Sequence, residues 1–201
     1  MRGLMTLLSF LAVMPTSMAL ALDDFEDGTT QDWVSGGSHP SPPSNVANDG
    51  PLGAGDNYLR VQATGSGAGG KLVFFKSVSP WAGNWTSSGY TEVRANVANF
   101  GSTTLSLRLA AEGPGGWWST SPVTVSPGTW QPIVFNVTPG NFSAANGGLS
   151  TNLTSTLAAV GTVRIVHGLT SDFRGDNVVA DTGFDGLELV ATSSAKDWLL
   201  Y

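Results

Sequence analysis

The chain has 201 residues, with 15 Asp and Glu against 9 Lys and Arg, a net charge of −6 and no cysteine. So few basic residues, with no basic stripe, argue against nucleic acid, whose phosphates need neutralising cations. Stability without disulfides must come from packing or from a bound metal, and the 26 glycines, with Pro, Ser, Thr and Asn beside them, favour short strands joined by turns.

The chain opens with Met1-Arg2, a mostly apolar run from Leu4 to Val13, and small residues at Ser17-Met18-Ala19 and Ala19-Leu20-Ala21. This order predicts a secretory signal of residues 1–21, cleaved after Ala19 or Ala21 and too short to span a bilayer. The protein is then secreted, extracellular or periplasmic, and no other stretch reaches membrane length. The remaining chain of roughly 180 residues fits one domain, 22–191, with a tail at 192–201. An acidic segment follows, "LDDFEDGTTQDW", in which Asp23, Asp24, Glu26, Asp27 and Asp32 surround Phe25. On a strand, Asp24 and Glu26 project from one face while Phe25 points inward.

From Tyr58 onward, alternation dominates. "NYLRVQA" sets Leu59, Val61 and Ala63 against Tyr58, Arg60 and Gln62, and "TEVRANV" sets Val93, Ala95 and Val97 against Glu92, Arg94 and Asn96. "TLSLRLA", "WQPIVFNV", "TVRIVH" and "FDGLELV" repeat the pattern. Period two with one apolar face marks strands half covered by a second sheet. Gly65–Gly70 reads as a hairpin tip, and "NFG", "GPGG" and "SPGT" read as turns. The prolines of "SHPSPPSN" bar that segment from a central strand. One or two helical turns are expected near Thr151–Val160, capped by Asn152 or Thr154. The fold class is all-β, a two-sheet antiparallel jelly-roll β-sandwich. A tight turn at Phe100 would pair strands 90–97 and 103–111, with Val93 opposite Leu107 and Glu92 opposite Arg108.

"DDFEDGTTQDW", "GDNYLRV", "SPGTWQPIVFNV" and "VGTVRIVH…GFDGLELV" occur in that order across nearly the whole domain. Together they resemble the galactose-binding-like jelly-roll superfamily, which includes carbohydrate-binding modules of glycoside hydrolases, laminin-B-like domains and bacterial extracellular proteins. The resemblance implies a structural calcium where the first strand meets the last, held here by Asp24, Glu26 and Asp185, with backbone oxygens near Gly55-Asp56-Asn57. Calcium takes six to eight oxygen ligands and tolerates irregular geometry. The competing reading is that these terminal acids are merely solvated.

Evidence for catalysis is thin. Arg94 and Arg108 would keep Glu92 and Glu112 ionised, which does not suit the raised-pKa acid that glycoside hydrolysis requires. His39 and His167 lack an evident nucleophile, and no serine sits in a nucleophile-elbow context. The chain is therefore expected to be a non-catalytic monomer that binds an extracellular glycan. Candidate platform residues are Trp85, Trp117 and Trp118, since aromatic faces stack on sugar rings. Arg94, Arg108 and Asn96 are candidates on the polar sheet face. Arg60, Arg94, Arg108 and Arg164 would share that face if their strands share a sheet, and guanidinium forks suit carboxylates, uronates included. Two further readings remain: a structural or adhesive surface protein without a small ligand, and a polysaccharide-active enzyme.

Overall fold

The computed structural model describes residues 17–192; the charged and apolar start and the tail ending in "DWLLY" lie outside them. The described residues form strands β1 (Ser17–Asp23), β2 (Ser44–Val46), β3 (Tyr58–Thr64), β4 (Val73–Lys76), β5 (Tyr90–Asn99), β6 (Leu105–Gly113), β7 (Gly116–Thr120), β8 (Val123–Val125), β9 (Gly128–Asn136), β10 (Phe142–Ala144), β11 (Thr162–His167) and β12 (Val179–Thr192). Two short helices accompany them, α1 (Trp85–Ser88) and α2 (Leu153–Ala158). Of the two expected caps, Asn152 or Thr154, it is the Asn152 side chain that caps α2, accepting from Ser155 N at 3.1 Å, while Thr154 lies inside the helix.

The strands stack as two six-stranded antiparallel sheets. The first runs β2-β3-β12-β5-β9, with β1 added on β12; the second runs β10-β7-β6-β11-β4, with β8 added on β6. The alternation foretold which side chains turn inward. Leu59, Val61, Val93, Val97 and Phe184 from the first sheet meet Leu105, Leu107, Leu109, Val163 and Ile165 from the second in one buried core. The Pro-rich segment feeds β2, an edge strand paired only with β3 among the described residues.

The expected hairpin of strands 90–97 and 103–111 does not form. β5 pairs with β12 and β9, whereas β6 pairs with β7, β8 and β11, so the two strands lie in opposite sheets. Glu92 stands beside Asn136 and Val190, and Arg108 stands beside Val166. Parity fixes the face that a strand buries but not its neighbour. Two strands with like faces satisfy it equally by stacking across a core. Gly65–Gly70 is likewise no hairpin tip, because it carries the chain from β3 to β4 between the sheets.

β1 begins ahead of both expected cleavage points, and Ala19 and Ala21 pair with Val190 and Leu189. Cleavage after Ala21 would leave Leu22 and Asp23 of this strand, and Asp23 is the residue that matters most to the packing. Its carboxylate oxygens each accept from Lys76 Nζ at 2.9 Å, and Oδ2 also accepts from Trp33 Nε1 at 2.8 Å. Both side chains of the ion pair are about nine-tenths buried, at 11% and 7% exposure. Trp33 is fully buried and packs edge-on against Trp81 at 5.0 Å and tilted against Phe74 at 5.3 Å.

Breaking a buried ion pair on one side strands an uncompensated charge. Lys76→Met is therefore expected to lower unfolding stability by about 3–5 kcal/mol in urea titrations. The double variant Lys76→Met/Asp23→Asn, which removes both charges and keeps an acceptor for Trp33, should recover part of that loss. A single variant as stable as the wild type would rule out this role.

Candidate functional site

The acidic end differs in detail from expectation. β1 stops at Asp23, so Asp24 and Glu26 lie in a turn and not on one face of a strand. Phe25, at the centre of the turn, has φ 61° and a fully buried side chain. Its carbonyl accepts from Asn45 Nδ2 at 2.7 Å and Asn57 Nδ2 at 3.4 Å, while Glu26 Oε1 accepts from Asn57 N at 2.8 Å. Asp24 Oδ1 accepts from Glu26 N and Gln31 Nε2, both at 3.3 Å. The turn is thus tied to Asn45 of β2 and to Asn57, just ahead of β3.

Asp185 sits where β12 shifts register against β5, followed by Gly186 at φ 57°. It is 8% exposed, and its Oδ1 is buried without a hydrogen-bond partner. Burial, and then the negative charges of Asp56, Glu26 and Asp24, push its pKa up to about 7, against the stabilising N–H of Gly186. The three expected residues therefore share one end of the sandwich, and Asp56 joins them through its own carboxylate. Among the described residues, no group of three or more His, Asp or Glu is arranged to hold a metal ion. The donors are nevertheless of the kind that calcium takes: carboxylate oxygens, one of them buried and unsatisfied.

The tryptophan platform does not exist as expected. Trp85 is 2% exposed, donates its indole N–H to Trp81 O at 2.9 Å and belongs to the core. The α1 turn places it there, with Asn84 capping the helix start. Trp118 faces inward against the same core, and its Nε1 donates to Gly115 O at 3.1 Å. Trp117 takes the opposite face, as consecutive strand residues must, but is only 9% exposed and stacks on Phe173 at 4.8 Å and 13°.

The arginines divide between the two sheets. Arg60 and Arg94 lie on the outer face of the first, where Asp181 and Glu92 neutralise them at 2.5 and 2.7 Å. Asn96 lies on the same face, half-buried next to Asp185. This face also carries Tyr58, Phe100 and Trp130, which meet edge to face or tilted at 5.2–6.0 Å. A Cβ at position 183 would come within 2.5 Å of the Trp130 ring, so only glycine lets that ring lie across β12. Arg108, on the outer face of the second sheet, is buried and donates to Gly168 O at 2.9 Å and Thr120 O at 2.7 Å. It anchors a loop rather than offering itself to a ligand.

A groove of about 520 Å³ opens over β4 and β11 on that outer face. Its floor is Val73 and Phe75 of β4 with Arg164 of β11, and its walls are residues 36–39 and 68–71 on one hand and Arg174 on the other. Because Phe74 and Lys76 point into the core, Phe75 must point out, and its ring is half-buried there. The Arg164 guanidinium lies 5.6 Å from the Phe75 ring and 4.4 Å from the Trp117 ring, and donates Nη1–H to Phe173 O at 3.2 Å. Its Nε is buried without a partner, and burial lowers its pKa. Arg174 lies 4.5 Å over Phe173, and Lys71 Nζ donates to Gly175 O at 2.5 Å. His39 accepts from Ser41 N at Nδ1, so its Nε2–H is the group left to meet Lys71 O at 3.2 Å.

Of these groove residues, Arg164 is foreseeable as a strand residue on the polar side. Phe75 is not among the expected site residues, although "LVFFK" between Gly70 and Ser77 is a short aromatic, β-branched run of the kind that forms strands. Lys71, Phe173 and Arg174 come from loops, where no periodicity announces them.

No family model matches the chain, and no curated protein matches it in sequence. Solved structures do share its fold. The family 11 carbohydrate-binding module from Clostridium thermocellum, in complex with a β-1,3-1,4-mixed-linked tetrasaccharide, is 16% identical and superposes with a TM-score of 0.60 over 90% of this chain and 98% of that one. The CBM22-1 xylan-binding domain from Paenibacillus barcinonensis is 14% identical, with a TM-score of 0.56 over 90% and 100%. An exo-β-agarase matches at 10% identity and a TM-score of 0.59, with 90% of this chain covering 26% of the enzyme. The chain therefore shares the two-sheet jelly-roll β-sandwich fold of these carbohydrate-binding modules.

Proposed function

We propose that the chain is a secreted, non-catalytic glycan-binding module whose sugar site is the groove over β4 and β11. The observation that carries this reading is the half-buried Phe75 ring, held outward on the groove floor with guanidinium and ammonium donors around it. An aromatic face with hydrogen-bonding groups at its margin is how protein surfaces grip pyranose rings. Similar folds solved in complex with a β-1,3-1,4-mixed-linked tetrasaccharide and as a xylan-binding domain support the choice of ligand class. The outer face of the first sheet is less suited, since its aromatic rings are packed edge-on against one another and its arginines are already neutralised. His167 supports a role in folding over one in chemistry: it is buried, accepts Ser106 N at Nδ1, and has its pKa lowered by that burial.

Affinity electrophoresis through gels cast with soluble polysaccharides tests the site. Wild type should be retarded by at least one glycan, and Phe75→Ala should weaken that binding about tenfold or more while melting close to wild type. Retardation unchanged in Phe75→Ala would move the site elsewhere, and no retardation by any glycan would favour a structural or adhesive role.

Calcium at the acidic end is part of the same proposal. Asp185, Glu26, Asp24 and Asp56 would supply the oxygens, and the cation would neutralise the buried Asp185 carboxylate and tie the front turn to β12. A ligand bound only by the folded state raises stability by mass action. Wild type should therefore melt higher in calcium than in chelator. Asp185→Asn should lose the calcium response yet melt above wild type in chelator, having shed an unpaired buried charge. Identical melting of wild type in both conditions excludes the cation.

Secretion follows from the leader reading and is checked by the intact mass of protein released by its native host. That mass should start at Leu20 or Leu22, and a mass including Met1 overturns it.

A further inference from the structure

We propose that the groove selects an anionic saccharide, one bearing carboxylate or sulfate groups, in preference to the neutral glycans; this rests on the groove being the sugar site. The described residues contain seven Lys and Arg side chains, of which Arg60, Lys76 and Arg94 each meet a carboxylate within 4.0 Å. Four do not: Lys71, Arg108, Arg164 and Arg174. Arg108 is buried and spends its guanidinium on backbone carbonyls. The other three all line the one groove, and no Asp or Glu lines it with them.

In a chain of net charge −6 this is the reverse of what chance placement gives, because acids are the commoner charged residue. Nor does the fold require all three charges there. Arg174 is exposed, and beside its stacking on Phe173 its guanidinium makes a single hydrogen bond, to Gly147 O at 3.4 Å. Arg164 keeps a buried Nε–H with no acceptor. The charge of Glu112 reaches Arg164 from outside the groove lining and without an ion pair. A neutral sugar would add no counter-charge to the three cations, whereas a carboxylate or sulfate would, and charge-assisted hydrogen bonds to guanidinium are shorter and stronger than neutral ones. Phe75 would stack on the ring that carries the acid, and Lys71 and Arg174 would face the acids of neighbouring units in a repeating polymer.

The experiment compares binding of the purified protein to polygalacturonate and to a sulfated galactan with binding to xylan and to mixed-linkage glucan. Lys71→Gln and Arg174→Gln, both off the core, are measured alongside Phe75→Ala, with melting temperatures to confirm folding. One of the two acidic polymers should bind more tightly than either neutral one, with an affinity that falls as salt rises. Each Gln variant should weaken it about fivefold to tenfold while leaving melting unchanged. Preference for polygalacturonate assigns carboxylate, and preference for the galactan assigns sulfate. If Phe75→Ala abolishes binding but a neutral glycan is preferred and the Gln variants bind as wild type, the groove stands and its acid selectivity is refuted. If acidic polymers bind and neither Gln variant nor Phe75→Ala weakens them, both readings fail, as they do if no glycan binds.

Discussion

The buried pair between Asp23 and Lys76 joins the two sheets, since one residue ends β1 and the other ends β4. Its desolvation is offset only by close geometry, with two contacts at 2.9 Å and the Trp33 indole as a third donor. Holding Lys76 inward sets the parity of β4: Phe74 must then fill the core beside Trp33 and Phe184, and Phe75 must face out. The groove floor is thus a by-product of the way the sandwich is fastened. A one-residue slip of this short edge strand would bury Phe75 and expose the lysine.

The two ends of the electrostatic map are built in opposite ways. At the acidic end, Asp185 is driven below the surface by a register shift in the longest strand, close to other acids and without a proton donor for Oδ1. In the groove, no acid lines the wall with the cations, and the two arginines are padded by Trp117, Phe173 and Phe75. Each arrangement leaves charge unsatisfied by the chain itself, which a cation in one place and an anion in the other would complete. Stacking on aromatic faces is a tolerable way to hold a guanidinium ready, because the flat ion is weakly hydrated.

Much of the scaffold could be read from residue order. Alternation identified β3, β5, β6, β9, β11 and β12 and their inward sides, and Asn152 marked the start of α2. Neighbours could not be read this way, because a period of two says nothing about which strand lies alongside. Val93 and Leu107 accordingly belong to one core but to opposite sheets, not side by side on paired strands. The tryptophans misled for a related reason. Glycine and asparagine around Trp85 look like an exposed loop, yet Trp85 opens the short α1 turn and its ring is buried. The groove was hidden further, because its walls come from residues 36–39, 68–71 and 174, which only the closed sandwich brings together.

In the first sheet β3 and β5 never touch each other; each pairs with β12, which lies between them. The sheet therefore exists as two unjoined halves until the segment from Val179 to Thr192 arrives, and that segment is the last strand of the described residues to leave the ribosome. A chain emerging from its N-terminus can assemble β6, β7 and β11 early but cannot close its larger pairing surface before that segment is made. Such late, long-range closure slows folding. Until β12 arrives no strand links its two neighbours, so this keystone strand sets the moment at which the first sheet becomes one surface.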